Sequence, residues 1–249
     1  MATIQFRDVS KTFVTGLKKR KALNDLTLSI EQGEVFGFLG PNGAGKSTTI
    51  KLLLNFIRPE QGVIRVKDAR VGQDDYLKYI GYLPEIPCFY ENLSAMEILN
   101  FSGKVSGLKK DELEGRSHEI LKRLKLDHAR AWQVRTFSKG MKQRLGFAVA
   151  LIHDPEIVIL DEPMSGLDPM GRHLITDVIL ELKDKGKTVF FSSHILSDVE
   201  KLSSRIAILN RGNTLFAGDV REVLDRYGSD LEEAFMTMVQ NDDGGAPHE

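Results

Sequence analysis

Three stretches of this sequence combine residue types suited to phosphate chemistry. The first, Gly40-Pro41-Asn42-Gly43-Ala44-Gly45-Lys46-Ser47-Thr48, fits the pattern G-x-x-x-x-G-K-[ST]. Its glycines let the backbone wrap a triphosphate with N–H groups aimed inward. Lys46 is spaced to reach the β- and γ-phosphates, and Ser47 to hold Mg²⁺. In the second, the apolar run Ile157-Val158-Ile159-Leu160 ends in paired acids, Asp161-Glu162. At a strand end in a phosphate-loop protein, the first acid suits Mg²⁺ and the second suits a water. The third is a strand over 187–193 that ends at His194. A lone histidine is more often structural than catalytic. This one terminates a strand parallel to the one ending in Asp161-Glu162, so both ends can line one crevice. The competing readings are a glycine turn that binds nothing and a solvated acidic turn.

The elements around these residues can be read from their patterning. Val35-Phe36-Gly37-Phe38-Leu39 is a short apolar run, as in a buried strand. After the loop, Ile50, Leu53 and Leu54 predict a helix over 47–56. The helix N-terminus therefore adds partial positive charge where the phosphates would lie. Ile157–Leu160 is apolar throughout, as in a parallel strand covered on both faces.

Composition sets the outer limits. The 249 residues suit one large domain or two small ones, and a hydrophobic fraction of 41% supports a core. Charges nearly cancel, 34 basic against 35 acidic, which argues against nucleic acid as a partner. The single cysteine, Cys88, excludes an internal disulfide and is expected to be a buried thiol. No His or Cys cluster suggests a metal site. No apolar run approaches the ~20 residues of a membrane span. The chain is expected to be soluble and cytosolic, meeting a membrane only through a partner.

Along the chain, residues 3–33 read as β structure with a basic turn, Gly16-Leu17-Lys18-Lys19-Arg20-Lys21, between two strands. That turn is either a solvated tip or a phosphate or lipid contact. Phe13, before it, either stacks on a nucleotide base or packs at a core or edge. Gly62–Val66 and Tyr79–Glu85 are further strands, and Glu85 leaves a strand end where α/β proteins bind ligands. Residues 89–152 are helix-rich, with a capping box at Ser94 and Glu97. Ser138 is an N-cap for a helix reaching about His153, and Trp132 reads as packing. A small amphipathic helix follows at Leu231–Met238, with a polar tail at 241–249.

In this order, Phe13, the phosphate loop, Glu85, Ser138-Lys139-Gly140-Met141, Asp161-Glu162, Ser165-Gly166-Leu167-Asp168 and His194 resemble the nucleotide-binding subunit of ABC transporters. The likeness spans about residues 3–220. It implies an α/β fold: a RecA-like core with an antiparallel β subdomain and an inserted α-helical subdomain. As one ABC ATPase domain over 1–240, the core and β subdomain would occupy about 1–88 and 153–240. The helical subdomain would occupy about 89–152.

The resemblance also implies roles. Phe13 would stack on adenine. Lys46, Ser47 and Thr48 would contact phosphate and Mg²⁺. Asp161 would act on the Mg²⁺ side, Glu162 as general base, and His194 as the switch beside the γ-phosphate. Ser138 and Gly140 match the signature Leu-Ser-Gly-Gly-Gln, which grips ATP bound to a second subunit, and Asp168 matches the loop that communicates across the dimer.

The chain departs from the family at Phe137, Lys139 and Met141, and Glu85 stands where the family has glutamine. With the Leu231–Phe235 ending, this set is similar to the ATPases of ABC-2-type exporters. The implied partners are a second ATPase subunit, as a homodimer, and a membrane permease that holds the chain at the inner face of the cell membrane. Phe89 and Tyr90 would face the permease or simply pack. The alternative function is a soluble ABC ATPase acting on a ribosome or DNA complex.

Overall fold

The computed structural model describes residues 2–16, 18–73 and 75–243. Apolar alternation at the N-terminus produces a long antiparallel hairpin, β1 (Ala2–Thr15) and β2 (Lys18–Glu31). β3 (Val35–Leu39) follows, buried at every position, and leads into α1 (Lys46–Leu53). The helix ends sooner than its apolar spacing suggests. Leu54 is its C-cap, and Asn55 adopts a left-handed backbone at φ 57°. β4 (Gln61–Val66) and β5 (Ala69–Arg70) complete a sheet of order β2-β1-β4-β5.

Of the expected basic turn, Lys18–Lys21 lie in the sheet instead, and Leu17 lies outside the described residues. Lys18–Lys21 open β2, and the antiparallel register carries them along β1, with Phe13 opposite Arg20. Their exposure satisfies the charges without a loop.

Two units divide the chain: Met1–Leu77 with Thr188–Glu249, and Lys78–Lys187. In the second unit, β6 (Ile80–Leu83) precedes α2 (Ala95–Val105), α3 (Lys110–Arg123) and α4 (Lys139–Leu151). α2 starts on the expected capping box, the Ser94 hydroxyl accepting from the Glu97 N–H while the Glu97 carboxylate accepts from the Ser94 N–H. β7 (Ile157–Asp161) pairs parallel with β6 and is buried throughout. α5 (Pro169–Asp184) begins with Asp168 as N-cap and Pro169 in the first turn.

Back in the first unit, β8 (Thr188–Ser193), α6 (Leu196–Leu202), β9 (Arg205–Asn210) and β10 (Asn213–Asp219) follow. Here the order is β10-β9-β3-β8, with β3 parallel to both β8 and β9. Phe38 and Phe190 pack at 5.3 Å between centroids, and Phe36 and Phe190 at 6.2 Å. Such aromatic pairs each contribute about 0.5–1.5 kcal/mol beyond area burial.

Two helices close the unit, α7 (Val220–Tyr227) and α8 (Leu231–Asp243). α7 buries only Val220 and Val223, a short apolar stripe. α8 continues three residues into the expected polar tail, and the rest of that tail lies outside the described residues. One further expectation fails. Cys88 is exposed, with its thiol 3.7 Å from the Ile86 carbonyl in an irregular segment too open to cover it. Trp132 is half exposed and packs its ring edge-on against His128.

Candidate functional site

The first unit builds the phosphate loop. β3 delivers Gly40 at the edge of the core, and Gly45 caps α1 in a left-handed conformation, φ 118°. A Cβ on Gly45 would lie 2.6 Å from the Ala22 carbonyl oxygen, so any other residue strains both backbone and packing. No side chain caps α1. The loop is held in place by backbone bonds, Ala44 N–H to Pro41 O (3.1 Å) and Gly212 N–H to Ala44 O (2.9 Å). Lys46 is buried and donates to Gly40 O at 2.6 Å, which holds its ammonium against the inside of the loop. Ser47 and Thr48 are half-buried at the open end of the helix.

Two other predicted residues of this unit lie beside the loop. Leu39 of β3 pairs in parallel with Ser193 of β8, so His194 leaves the sheet one residue past the paired strand ends, as Gly40 does. Phe13 is 39% exposed and stands opposite Arg20, whose guanidinium donates to Gly43 O at 3.1 Å. Directly opposed antiparallel residues project from the same face. Phe13 thus rises beside the loop, with the Lys11 ammonium 5.6 Å from its ring.

The second unit carries the acids. Asp161 and Glu162 end β7 with 5% and 7% exposure. Eight non-glycine residues have positive φ among the described residues, and Glu162, at φ 49°, is the only buried one. The other seven are exposed, two of them, Asp8 and Asp25, at irregularities in β1 and β2. A buried carboxylate held in left-handed backbone costs about 1–3 kcal/mol and persists only where its surroundings impose it. The next residue is fixed from α4, since Gln143, 2% exposed, donates its amide to Pro163 O at 3.2 Å. Glu85 is exposed beyond β6. Burial first, then the negative charges of Asp161 and Glu85, push the Tyr82 hydroxyl up to about 12. The structure therefore brings Glu85 and Asp161 within electrostatic reach of one residue.

Two helix N-termini complete the unit. The Ser138 hydroxyl accepts from the Met141 N–H at 3.2 Å, and Asp168 Oδ1 accepts from the Gly171 N–H at 2.8 Å. Lys139 lays its alkyl chain along Gly166, where a Cβ would meet it at 2.4 Å. Arg144 ties the start of α4 to the end of α3 by donating to Gly140 O (3.3 Å) and Leu124 O (3.1 Å). Burial lowers the Arg144 pKa and the Asp168 charge opposes this.

No group of three or more His, Cys, Asp or Glu that could hold a metal occurs among the described residues. Mg²⁺ takes hard oxygen donors and relies on substrate phosphates plus one or two protein groups, a chemistry that the Ser47 hydroxyl of the first unit and the Asp161 carboxylate of the second each fit. Sequence reasoning missed Gln143 and Arg20. Counting hairpin register back from Phe13 would have found Arg20. The one amide on the inward face of α4 was the signal for Gln143.

Comparison with known proteins extends the picture to most of the chain. The family model described as ABC transporter matches residues 23–165. An uncharacterized ABC transporter ATP-binding protein of Synechocystis is 46% identical over 222 residues, covering 87% of this chain. The chain spans 63% of that relative's length. The bacitracin transport ATP-binding protein BcrA of Bacillus licheniformis is 39% identical, covering 90% of this chain and 76% of BcrA. Among solved structures, an ATP-binding subunit of an ABC transporter superposes with TM-score 0.87 at 30% identity, over 95% of this chain and 99% of that one. A dimeric bacterial ABC transporter cassette superposes with TM-score 0.81 at 25% identity, over 87% and 98%. The RecA-like fold expected from the sequence is the fold of these cassettes.

Proposed function

The chain belongs to the ABC transporter family of ATP-binding proteins, and from that premise we propose that it binds and hydrolyses Mg-ATP to drive translocation, in the export direction, through a separate membrane permease. The observation that carries the reading is the buried, left-handed Glu162 after Asp161. A strand end that presses two carboxylates into the protein, one of them with unfavourable backbone, is built for chemistry rather than stability.

Each residue then has a task. Phe13 supplies the base platform. Gly40 to Thr48 cradle the phosphates, with Lys46 as their cation. Ser47 and Asp161 would each offer an oxygen to Mg²⁺, which when bound would neutralise developing negative charge on the phosphates. Glu85, where the family has glutamine, orders water or adds a donor on the metal side. Glu162 accepts the proton of the attacking water, and His194 orients the γ-phosphate.

Ser138, Gly140 and Asp168 serve the second subunit. The Ser138 hydroxyl accepts inside its own helix and keeps its proton to donate outward. With α4's N-terminal partial charge, it forms an anion-binding surface. Two copies closing head to tail on two ATP molecules, then parting after hydrolysis, would transmit work to the permease. BcrA's name, a bacitracin transport protein, supports transport, and the dimeric cassette supports closure by pairing. No helix among the described residues is long and apolar enough to cross a membrane. The exposed Ile86, Tyr90, Phe101 and Val105 offer an apolar surface for it, whereas Phe89 is half-buried.

The test is Glu162→Gln in the assembled complex. Mg-ATP binding stays near wild type, and steady-state hydrolysis falls about 10³-fold, as for loss of a general base. Hydrolysis at the wild-type rate would refute the role given to Glu162.

A further inference from the structure

The basic run that opens β2 does more than face solvent. Lys18 and Lys19 are exposed, and Lys21 donates to the Asn24 side chain. Arg20 alone in the run reaches the phosphate loop, with Nη2 donating to Gly43 O at 3.1 Å. A Cβ built on Gly43 would lie 2.7 Å from that same nitrogen, at φ +83°. The guanidinium therefore stands where any other side chain at Gly43 would have to go. The Gly43–Ala44 peptide is held at both ends, its carbonyl by Arg20 and its N–H by Pro41 O. Arg20 forms no ion pair among the described residues.

We propose that Arg20 is a positioning residue for the nucleotide's phosphates. It fixes the Gly43–Ala44 peptide plane and so keeps the loop in its binding geometry. This rests on the nucleotide-binding reading above and adds to it a residue outside the recognised motifs. The physical reason is entropic. A segment with glycines at 40, 43 and 45 has wide conformational freedom, and ordering it on binding costs affinity. A charge-assisted bond from a side chain anchored in a sheet removes part of that cost beforehand. Arginine suits the task because its planar fork gives a directed donor, where an ammonium is a point charge. The effect falls on affinity and leaves the chemical step alone.

The experiment is calorimetric titration of the full chain with Mg-ATP and with inorganic tripolyphosphate. Arg20→Ala is expected to weaken both ligands by the same factor, about tenfold, the size of one lost charged hydrogen bond. Turnover at saturating Mg-ATP in the assembled complex stays at the wild-type value. Arg20→Lys keeps the charge and recovers only part of the loss. Lys19→Ala, an equal loss of charge one residue away, stays within about twofold because exposed charges are screened.

Wild-type affinity in Arg20→Ala would overturn the inference. So would an equal loss in Lys19→Ala or full recovery in Arg20→Lys, either of which reduces the effect to diffuse charge. A loss confined to ATP would place Arg20 at the base and overturn it as well. Failure of the wild-type chain to bind Mg-ATP would instead remove the nucleotide reading itself.

Discussion

Two helix N-termini in this protein are built in opposite ways. α1 starts without a side-chain cap, on a left-handed glycine. Its first-turn N–H groups stay turned toward the loop that Lys46 and the backbone bonds shape. α4 starts on Ser138, whose hydroxyl already accepts from Met141 N–H. The first end is a loop shaped by its own backbone bonds. The second is a surface, stable by itself and exposed. A cap contributes about 1 kcal/mol to its own helix, so α4's end is stable without a ligand, whereas α1 has no side-chain cap to do the same. In the proposed function the uncapped end serves the ligand's primary site and the capped end is presented to another molecule.

The comparison breaks most easily at Lys46. Lys46→Ala removes the buried cation of the loop and is expected to weaken Mg-ATP binding about 100-fold, as for a lost charged contact. Titration of the isolated chain measures it. Binding within a few-fold of wild type would mean that the backbone alone holds the phosphates.

Ser138→Arg should act on the other end only. Nucleotide-dependent dimerisation, followed by light scattering, falls at least about tenfold because the side chain clashes at a shared surface. Mg-ATP binding by the monomer stays unchanged. The lost cap lowers the melting temperature by about 2–4 °C. A dimer that persists would detach Ser138 from any second subunit.

The two ends also differ in how far the sequence revealed them. The phosphate loop was legible because its motif dictates backbone shape, and Val35–Leu39 and Ile157–Leu160 announced buried strands by continuous apolarity. The Ser138 cap was legible as a cap, while its use came from the order of motifs. What stayed hidden depends on tertiary placement. Lys18–Lys21 look like a turn by charge, and only pairing with β1 makes them a strand. Cys88 looked buried by residue type, but its segment carries no regular structure to cover it. α7 carries only two buried residues, too short a stripe to stand out. The strain at Glu162 has no sequence signature, since turn-prone Asp and Asn share positive φ elsewhere in the chain.

Gly45→Ala tests the cradle's shape rather than its charge. The new methyl meets the Ala22 carbonyl, and alanine is strained at φ 118°. A cost of about 2 kcal/mol follows from such backbone conflict, and melting should fall by about 4–8 °C. Mg-ATP affinity should fall with it, since the cap geometry sets the direction of the first-turn N–H groups. Unchanged melting would mean that the loop relaxes freely and that its shape is not pre-set.

Gly140→Ala carries the smallest effect and separates the two ends most sharply. Its Cβ would lie 3.6 Å from Leu167 Cδ2 and 3.7 Å from Gly166 O, ordinary contacts with no clash. Gly140 therefore has no packing reason to be glycine within its own chain. Alanine inside a helix is favoured by about 0.5–1 kcal/mol over glycine, so melting should rise by about 1–4 °C. If Gly140 is glycine so that a phosphate can approach the backbone from outside, the same variant should weaken nucleotide-dependent dimerisation a few-fold. Monomer affinity for Mg-ATP should not change. A more stable subunit that dimerises less well would locate the constraint on Gly140 outside the subunit. A less stable one would return it to packing, and α4's N-terminus would lose its claim to be an open binding surface.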